Sequence, residues 1–281
     1  MVHPQIAAFA RLADGPAIPA RKIEGAKTLL GRTMHSIEYD AMHDEVSVPV
    51  PFGGAILTFR GGANGEEPPL RVIQGSQTRL EAPDRLGIDP ANNEIFVPEG
   101  RKILVFPREA NGNVAPIRAL EGPKTKLGGG FTAGVGVIGI DSIRNLIVAG
   151  SGIGQGDSGR LQLLIFDRKA AGDTAPIRNI SGPNTMLSNL GGPFTLYPPK
   201  GKIIVPIRGA VTVNKTMAVD SFVGIYDINA DGNVAPELIL GGPRGIFQMI
   251  RGVAVNARHK ELIVSDKRLN AVLTFRLPEL F

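Results

Sequence analysis

The chain has 281 residues, of which 43% are hydrophobic and 20% charged, with 36 Gly, 22 Pro and no Cys. The missing Cys excludes disulfide scaffolds, Cys-ligated zinc and thiol catalysis, and a mean hydropathy of +0.06 excludes a disordered chain. The net charge of +5 comes from 31 basic residues interspersed with 26 acidic ones, without Trp and without a basic block for a phosphate backbone to follow, so no nucleic-acid partner is expected. No apolar run approaches the length of a membrane span, and residues 1–22 lack the basic start and apolar stretch of a signal peptide. A soluble protein is expected, with its compartment open and a secreted or periplasmic mature form allowed.

One frame of about twenty residues recurs along the chain. It reads FARLADGPAIPARKIEGAKTLL at 9–30, FRGGANGEEPPLRVIQGSQTRL at 59–80, FPREANGNVAPIRALEGPKTKL at 106–127 and FDRKAAGDTAPIRNISGPNTML at 166–187. A fifth copy starting at Tyr226 keeps DGNVAPELILGGP, and Phe275 opens a sixth. The anchors at 9, 59, 106, 166, 226 and 275 are therefore 50, 47, 60, 60 and 49 residues apart. Such a period belongs to a propeller or another toroidal array.

Each period is built of strands and turns. AILTFR (55–60), KILVFP (102–107), LLIFDR (163–168), FVGIYD (222–227) and AVLTFR (271–276) are short β-branched and aromatic runs. The first four lead into a turn of the Asn-Gly kind, then Pro and a further strand such as PIRALEG (116–122). Five hairpins complete the units, at 36–49, 85–98, 137–150, 194–206 and 252–266. The expected fold is an all-β propeller of four-stranded antiparallel blades in one domain covering 1–281. A ring of five blades is favoured, with the strand at 19–25 joining the C-terminal blade at 252–276. The third-strand copy at 6–11 is then surplus, and a six-bladed ring with one incomplete blade is the alternative.

The hairpins GIDPANNEIFV (87–97) and GVAVNARHKELIV (252–264) resemble the NHL-type propeller repeat, whose core reads like G-I-A-V-D followed by N-x-[LI]-Y-V-A-D. The resemblance covers almost the whole chain and concerns architecture, because proteins of this kind include lyases, lactonases and interaction scaffolds. Amidating lyases of this kind use clustered His, whereas this chain has His3, His35, His43 and His259 only. His43 and His259 fall in hairpin turns on the face opposite His35, so a multi-His centre is not expected. Calcium-dependent lactonases and phosphotriesterases of similar propellers use an axial Glu with Asn and Asp from other blades.

Glu38 fits the first of those positions. It stands in the innermost-strand column Glu38, Gly87, Gly139, Thr195, Ala254, between apolar columns that begin with Ile37 and Tyr39. A carboxylate among small residues near an axis needs hydrogen bonds, a cation or a raised pKa. It is either paired with an Arg or wetted by channel water, or else it is a metal ligand or general acid/base. The equivalent columns supply no Asn, so Asp84, Glu99 and Asp266 from neighbouring loops would have to replace them.

Connectivity sends the loop before each innermost strand and the loop after each second strand to one face, here termed the upper face. The excess of the two 60-residue repeats lies largely in two such loops, at 149–160 and 207–221. Long loops on a rigid scaffold favour a pocket there. As an enzyme, the chain would be a metal-assisted hydrolase of a lactone, ester or phosphoester. Glu38 and Asp266 would hold a divalent cation, calcium being favoured by the all-oxygen ligands. His35 would transfer protons, Arg251 or Arg85 would neutralise developing charge, and Asp84, Glu99 and Arg208 would contact the ligand. As a binding module it would recognise a sugar, peptide or protein at the same face without chemistry, and a monomer is expected on either reading. Three local motifs compete with turns and loops. Gly156-Asp157-Ser158-Gly159 is similar to a serine-nucleophile segment, Gly154-x-Gly156-x-x-Gly159 to a dinucleotide fingerprint, and Asp227-x-Asn229-x-Asp231-Gly232 to half of a calcium loop. The first lies inside a propeller repeat, the second leads into a strand instead of a helix, and the third lacks a closing Glu at the right place, which favours a plain turn.

Overall fold

The computed structural model describes residues 4–128, 135–153, 160–188, 192–208, 221–243 and 245–281. Its regular structure is β-strand with three-residue 3-10 turns. The N-terminal strands β1 (Gln5–Ala8) and β2 (Arg21–Glu24) pair with each other. Then come β3 (Glu38–Asp40), β4 (Glu45–Val50), β5 (Ala55–Arg60) and β6 (Arg71–Gln74), forming an antiparallel meander in chain order. The same order recurs in β7 (Gly87–Asp89), β8 (Glu94–Glu99), β9 (Lys102–Pro107) and β10 (Arg118–Glu121). The next meander consists of β11 (Val135–Asp141), β12 (Leu146–Ile153), β13 (Arg160–Asp167) and β14 (Arg178–Ser181). It is followed by β15 (Thr195–Tyr197), β16 (Lys202–Ile207), β17 (Phe222–Asp227) and β18 (Leu238–Gly241). The last sheet holds β19 (Ile250–Asn256), β20 (Glu261–Asp266) and β21 (Ala271–Arg276). The all-β class and the antiparallel propeller blades expected from the repeat are those observed, and all five inner hairpins form.

The sheet begun at Ile250 has three strands among the described residues, and Arg21–Glu24 pairs with Gln5–Ala8. The apparently surplus copy at 6–11 is thus the third strand to which its own fourth strand returns. Two strands joined by a short local connection close at little entropic cost, and the four copies that start at Phe59, Phe106, Phe166 and Tyr226 form the same pair.

Two compact units are distinguished: residues 1–99 with 104–118, and residues 100–103 with 119–281. The first contains a core of Ile23, Val48, Leu57, Phe59 and Ala63. The second contains one cluster around Val148, Ile165, Ile203 and Tyr226 and another around Ile225, Phe247, Ile250 and Val264. The aromatic anchors explain the frame. Phe59, Phe106, Phe166 and Tyr226 are fully buried, whereas Phe9 at the N-terminal copy is 53% exposed.

What the repeated words encode is a junction between successive sheets. In each of four copies the turn Gly exchanges two backbone hydrogen bonds with the fourth strand of the preceding sheet. Gly65 N–H donates to Lys22 O (2.6 Å) and Glu24 N–H to Gly65 O (3.0 Å). Gly112 is bonded in the same way to Val72 and Gln74, Gly172 to Ala119 and Glu121, and Gly232 to Asn179 and Ser181. A side chain just beyond the turn then caps the 3-10 turn after that fourth strand. Asn113 Oδ1 accepts from Gln77 N–H (2.7 Å), Asp173 Oδ1 from Lys124 N–H (2.6 Å) and Asn233 Oδ1 from Asn184 N–H (2.8 Å).

The Gly-x-x-Thr that closes each copy completes the joint. Thr28, Thr78, Thr125 and Thr185 are fully buried, and each hydroxyl donates to the Gly carbonyl three residues back at 2.6 Å. The Gly cannot be replaced. Gly122 has φ +130°, and a Cβ there would lie 2.5 Å from Asp173 Oδ1. The fifth copy has Gly245 in place of Thr, and its strand β18 is correspondingly less buried.

Gly122→Ala is expected to destabilise the protein by about 2–4 kcal/mol, combining backbone strain with a displaced Asp173. Asn113→Ala, which removes one capping acceptor, is expected to cost about 1 kcal/mol. Urea unfolding of both variants against the wild type measures this, and equal stability of the Gly122 variant would refute the junction's role.

Candidate functional site

Glu38 opens β3, and β3 packs beside β7. The residue is partly buried, and its carboxyl makes no hydrogen bond or ion pair with any described residue. Desolvation alone pushes its pKa up from 4.5 to about 8. Of the alternatives raised by the sequence, the Arg pair therefore has no counterpart among the described residues. The small residues of its column have a packing reason. At Gly139 a Cβ would lie 2.9 Å from both Phe194 and Leu196, side chains of the next sheet's first strand and its approach. Gly139 is thus small because a neighbouring strand's apolar residues occupy its face, and that covering, more than crowding at an axis, is what desolvates such a position.

Three of the other candidates meet in the first unit. His35 Nδ1 lies 2.6 Å from Asp84 Oδ1, and Arg85 Nη1 donates to Asp84 Oδ2 at 2.6 Å. His35 and Asp84 are both close to half exposed, so water competes for this contact. Glu99 has a structural duty: its buried carboxylate accepts from the backbone N–H groups of Glu81 (3.2 Å) and Ala82 (3.3 Å).

Asp266, in the second unit, is engaged more completely. One oxygen accepts from Gln248 and Met249 N–H (2.7 and 2.9 Å), the other from Arg268 and Leu269 N–H (3.0 and 3.1 Å). Burial by itself would raise its pKa, but these four donors hold the carboxylate below its ordinary range. It ties two loop segments together, and its lone pairs are already used. Among the described residues no group of three or more His, Asp and Glu is arranged to hold a metal ion. Arg208 follows β16 directly and Arg251 lies in β19. Burial, then the charge of Arg251, lowers the pKa of Arg208.

The calcium-like loop is accounted for as a turn. Asp227 binds Lys202 Nζ (3.0 Å) through one oxygen and caps Asn229 N–H (2.7 Å) with the other. Asp231 Oδ1 accepts from Asn179 N–H at 2.7 Å, the equivalent of the Asn111 contact to Val72. Most of the loops at 149–160 and 207–221, and with them the Gly154 to Gly159 motifs, lie outside the described residues. The inter-sheet acceptors Asn113, Asp173 and Asn233 were not singled out from sequence. Their signal was the joint recurrence of Asn-Gly and Gly-x-x-Thr one period apart.

No family model matches the chain, and no curated protein does. Among solved structures, hydrazine synthase of Kuenenia stuttgartiensis matches with a TM-score of 0.57 at 9% identity, covering 83% of this chain and 55% of that one. The chain thus spans about half the length of that neighbour, and the likeness shows the propeller fold alone. No helix among the described residues is long and apolar enough to cross a membrane.

Because the folded state holds the Glu38 proton to about pH 8, it binds more protons than the unfolded chain between about pH 4.5 and 8. Stability is therefore expected to fall as pH rises through that window, by up to about 5 kcal/mol for a fully desolvated carboxyl and less where water reaches it. Denaturant unfolding at pH 5, 7 and 9 checks this against Glu38→Gln, in which that part of the fall should vanish.

Proposed function

We propose that the chain is a ligand-binding propeller of the NHL-like kind, holding a small, uncharged polar molecule against the carboxyl of Glu38. The observation that carries this reading is a partly buried, desolvated carboxyl without a partner among the described residues, with its pKa raised to about 8. At neutral pH it is an acid with one O–H donor and a carbonyl acceptor, the complement of a hydroxyl, carbonyl or amide group. A buried polar group left without a bond costs about 1–3 kcal/mol, and a ligand that completes it recovers part of that.

The metal-assisted reading has less support. Glu99 and Asp266, two of its candidate ligands, already serve backbone N–H groups. A hydrolytic role retains one supporting contact, His35 Nδ1 to Asp84 Oδ1 at 2.6 Å. An Asp-oriented imidazole three residues from a protonated Glu is a combination able to move protons in ester or lactone cleavage.

Screening neutral sugars, amides and lactones by saturation-transfer NMR distinguishes the two. Binding is expected to weaken above about pH 8, to survive in Glu38→Gln without that pH dependence, to be lost in Glu38→Ala and to ignore chelators. Ligands that bind Glu38→Ala unchanged would overturn the binding reading. Turnover of the lactone and ester panel that is abolished by chelator would replace it with the metal-assisted one.

A further inference from the structure

Two guanidinium groups of the second unit lie within electrostatic range of each other without a described carboxylate bonded to either. Arg208 stands at the end of β16, the second strand of its sheet, and Arg251 on β19, the first strand of the following sheet. These two strands pack together. Arg208 is partly buried, and its Nε is enclosed without a hydrogen-bond partner among the described residues. Arg251 sits in a register shift between Ile250 and Gly252, so it leaves the β19–β20 ladder. Its backbone is held from the other side by Gly192, where any side chain would strike the Arg251 carbonyl.

Asp266 stands opposite Ile250, the neighbour of Arg251, in the ladder. Its four backbone donors take both of its oxygens. Partly burying one guanidinium near a second, exposed one without a described counter-charge is unfavourable, and burial and then the charge of Arg251 lower the pKa of Arg208. An arrangement of that kind is stabilised when an anion arrives, and two planar forks of N–H donors suit an oxyanion that can accept from both.

We infer that Arg208 and Arg251 form a binding site for the oxyanion group, carboxylate or phosphoryl, of a small ligand. The site uses residues of the second unit only and does not depend on the reading of Glu38. Neither arginine is committed to the sheet ladder at its own position, so both can reorient around the anion without unmaking a sheet.

Titration calorimetry at low ionic strength with inorganic phosphate, and separately with acetate, tests the inference on the intact chain. Saturable binding is expected for at least one of them, weakened tenfold or more in Arg208→Gln and in Arg251→Gln and unchanged in Arg258→Gln, an exposed arginine of the β19–β20 turn. The anion bound more tightly identifies the class of ligand group. Arg251→Glu supplies a counter-charge directly, so it is expected to abolish anion binding while raising the thermal midpoint. Absence of saturable binding by either anion, equal loss in Arg258→Gln, or a midpoint lowered by Arg251→Glu would each overturn the inference. The last result would mean that the pair already has a carboxylate partner.

Discussion

The structure depends on how one sheet is fastened to the next. A blade of four short strands offers two apolar faces and cannot bury both by itself. Here the fastening is a pair of backbone hydrogen bonds from a turn Gly, reinforced by an Asn or Asp capping the 3-10 turn of the preceding sheet. Each bond contributes about 0.5–1.5 kcal/mol net; the backbone pair recurs at four junctions and the Asn or Asp cap at three, Glu66 taking its place at the first. At the buried Gly-x-x-Thr corner the threonine hydroxyl donates to the Gly carbonyl and accepts from the backbone N–H two residues on.

Charges buried under these sheets are paired. Glu45 takes Arg71 at 2.5 Å and Arg108 at 2.8 Å, and Glu94 takes Arg118 at 2.6 Å. Burial would raise the pKa of Glu45, and its two guanidinium partners more than reverse that. The buried Asp40, Asp89 and Asp141 cap the turns of their hairpins. Against this background Glu38 and Arg208 are exceptional: each is partly buried without an opposite charge bonded to it among the described residues. The fold satisfies its structural charges locally, which makes an uncompensated one a reason to look for a ligand.

The same rule separates site candidates that look equivalent in sequence. Asp266, Glu99 and Asp227 are acids at strand ends, where β20, β8 and β17 pass into loops, and Asp84 lies in the loop before β7. The first two are consumed by backbone N–H groups, and the third by a lysine and a turn. Asp84 instead faces His35 and Arg85 at the surface. Residue type and loop position nominate an acid, but only the donors around it show whether its lone pairs remain available.

The sequence by itself determined the strand-and-turn alphabet, the period and the blade as the repeating unit, because alternation, Asn-Gly turns and buried aromatic anchors are local signals. The strands at 55–60, 102–107, 222–227 and 271–276 stand where the runs AILTFR, KILVFP, FVGIYD and AVLTFR placed them. It also singled out Glu38 as an odd carboxylate in a column of small residues. Only the tertiary structure decided that β2 returns to β1, that the Asn-Gly turn is a joint between sheets, and that Asp266 is a clasp. Those outcomes depend on which donors from distant segments reach a given oxygen, and desolvation of Glu38 likewise depends on what packs over β3. A one-dimensional pattern carries periodicity and turn chemistry but not the neighbours that complete a hydrogen bond or withhold water from a charge.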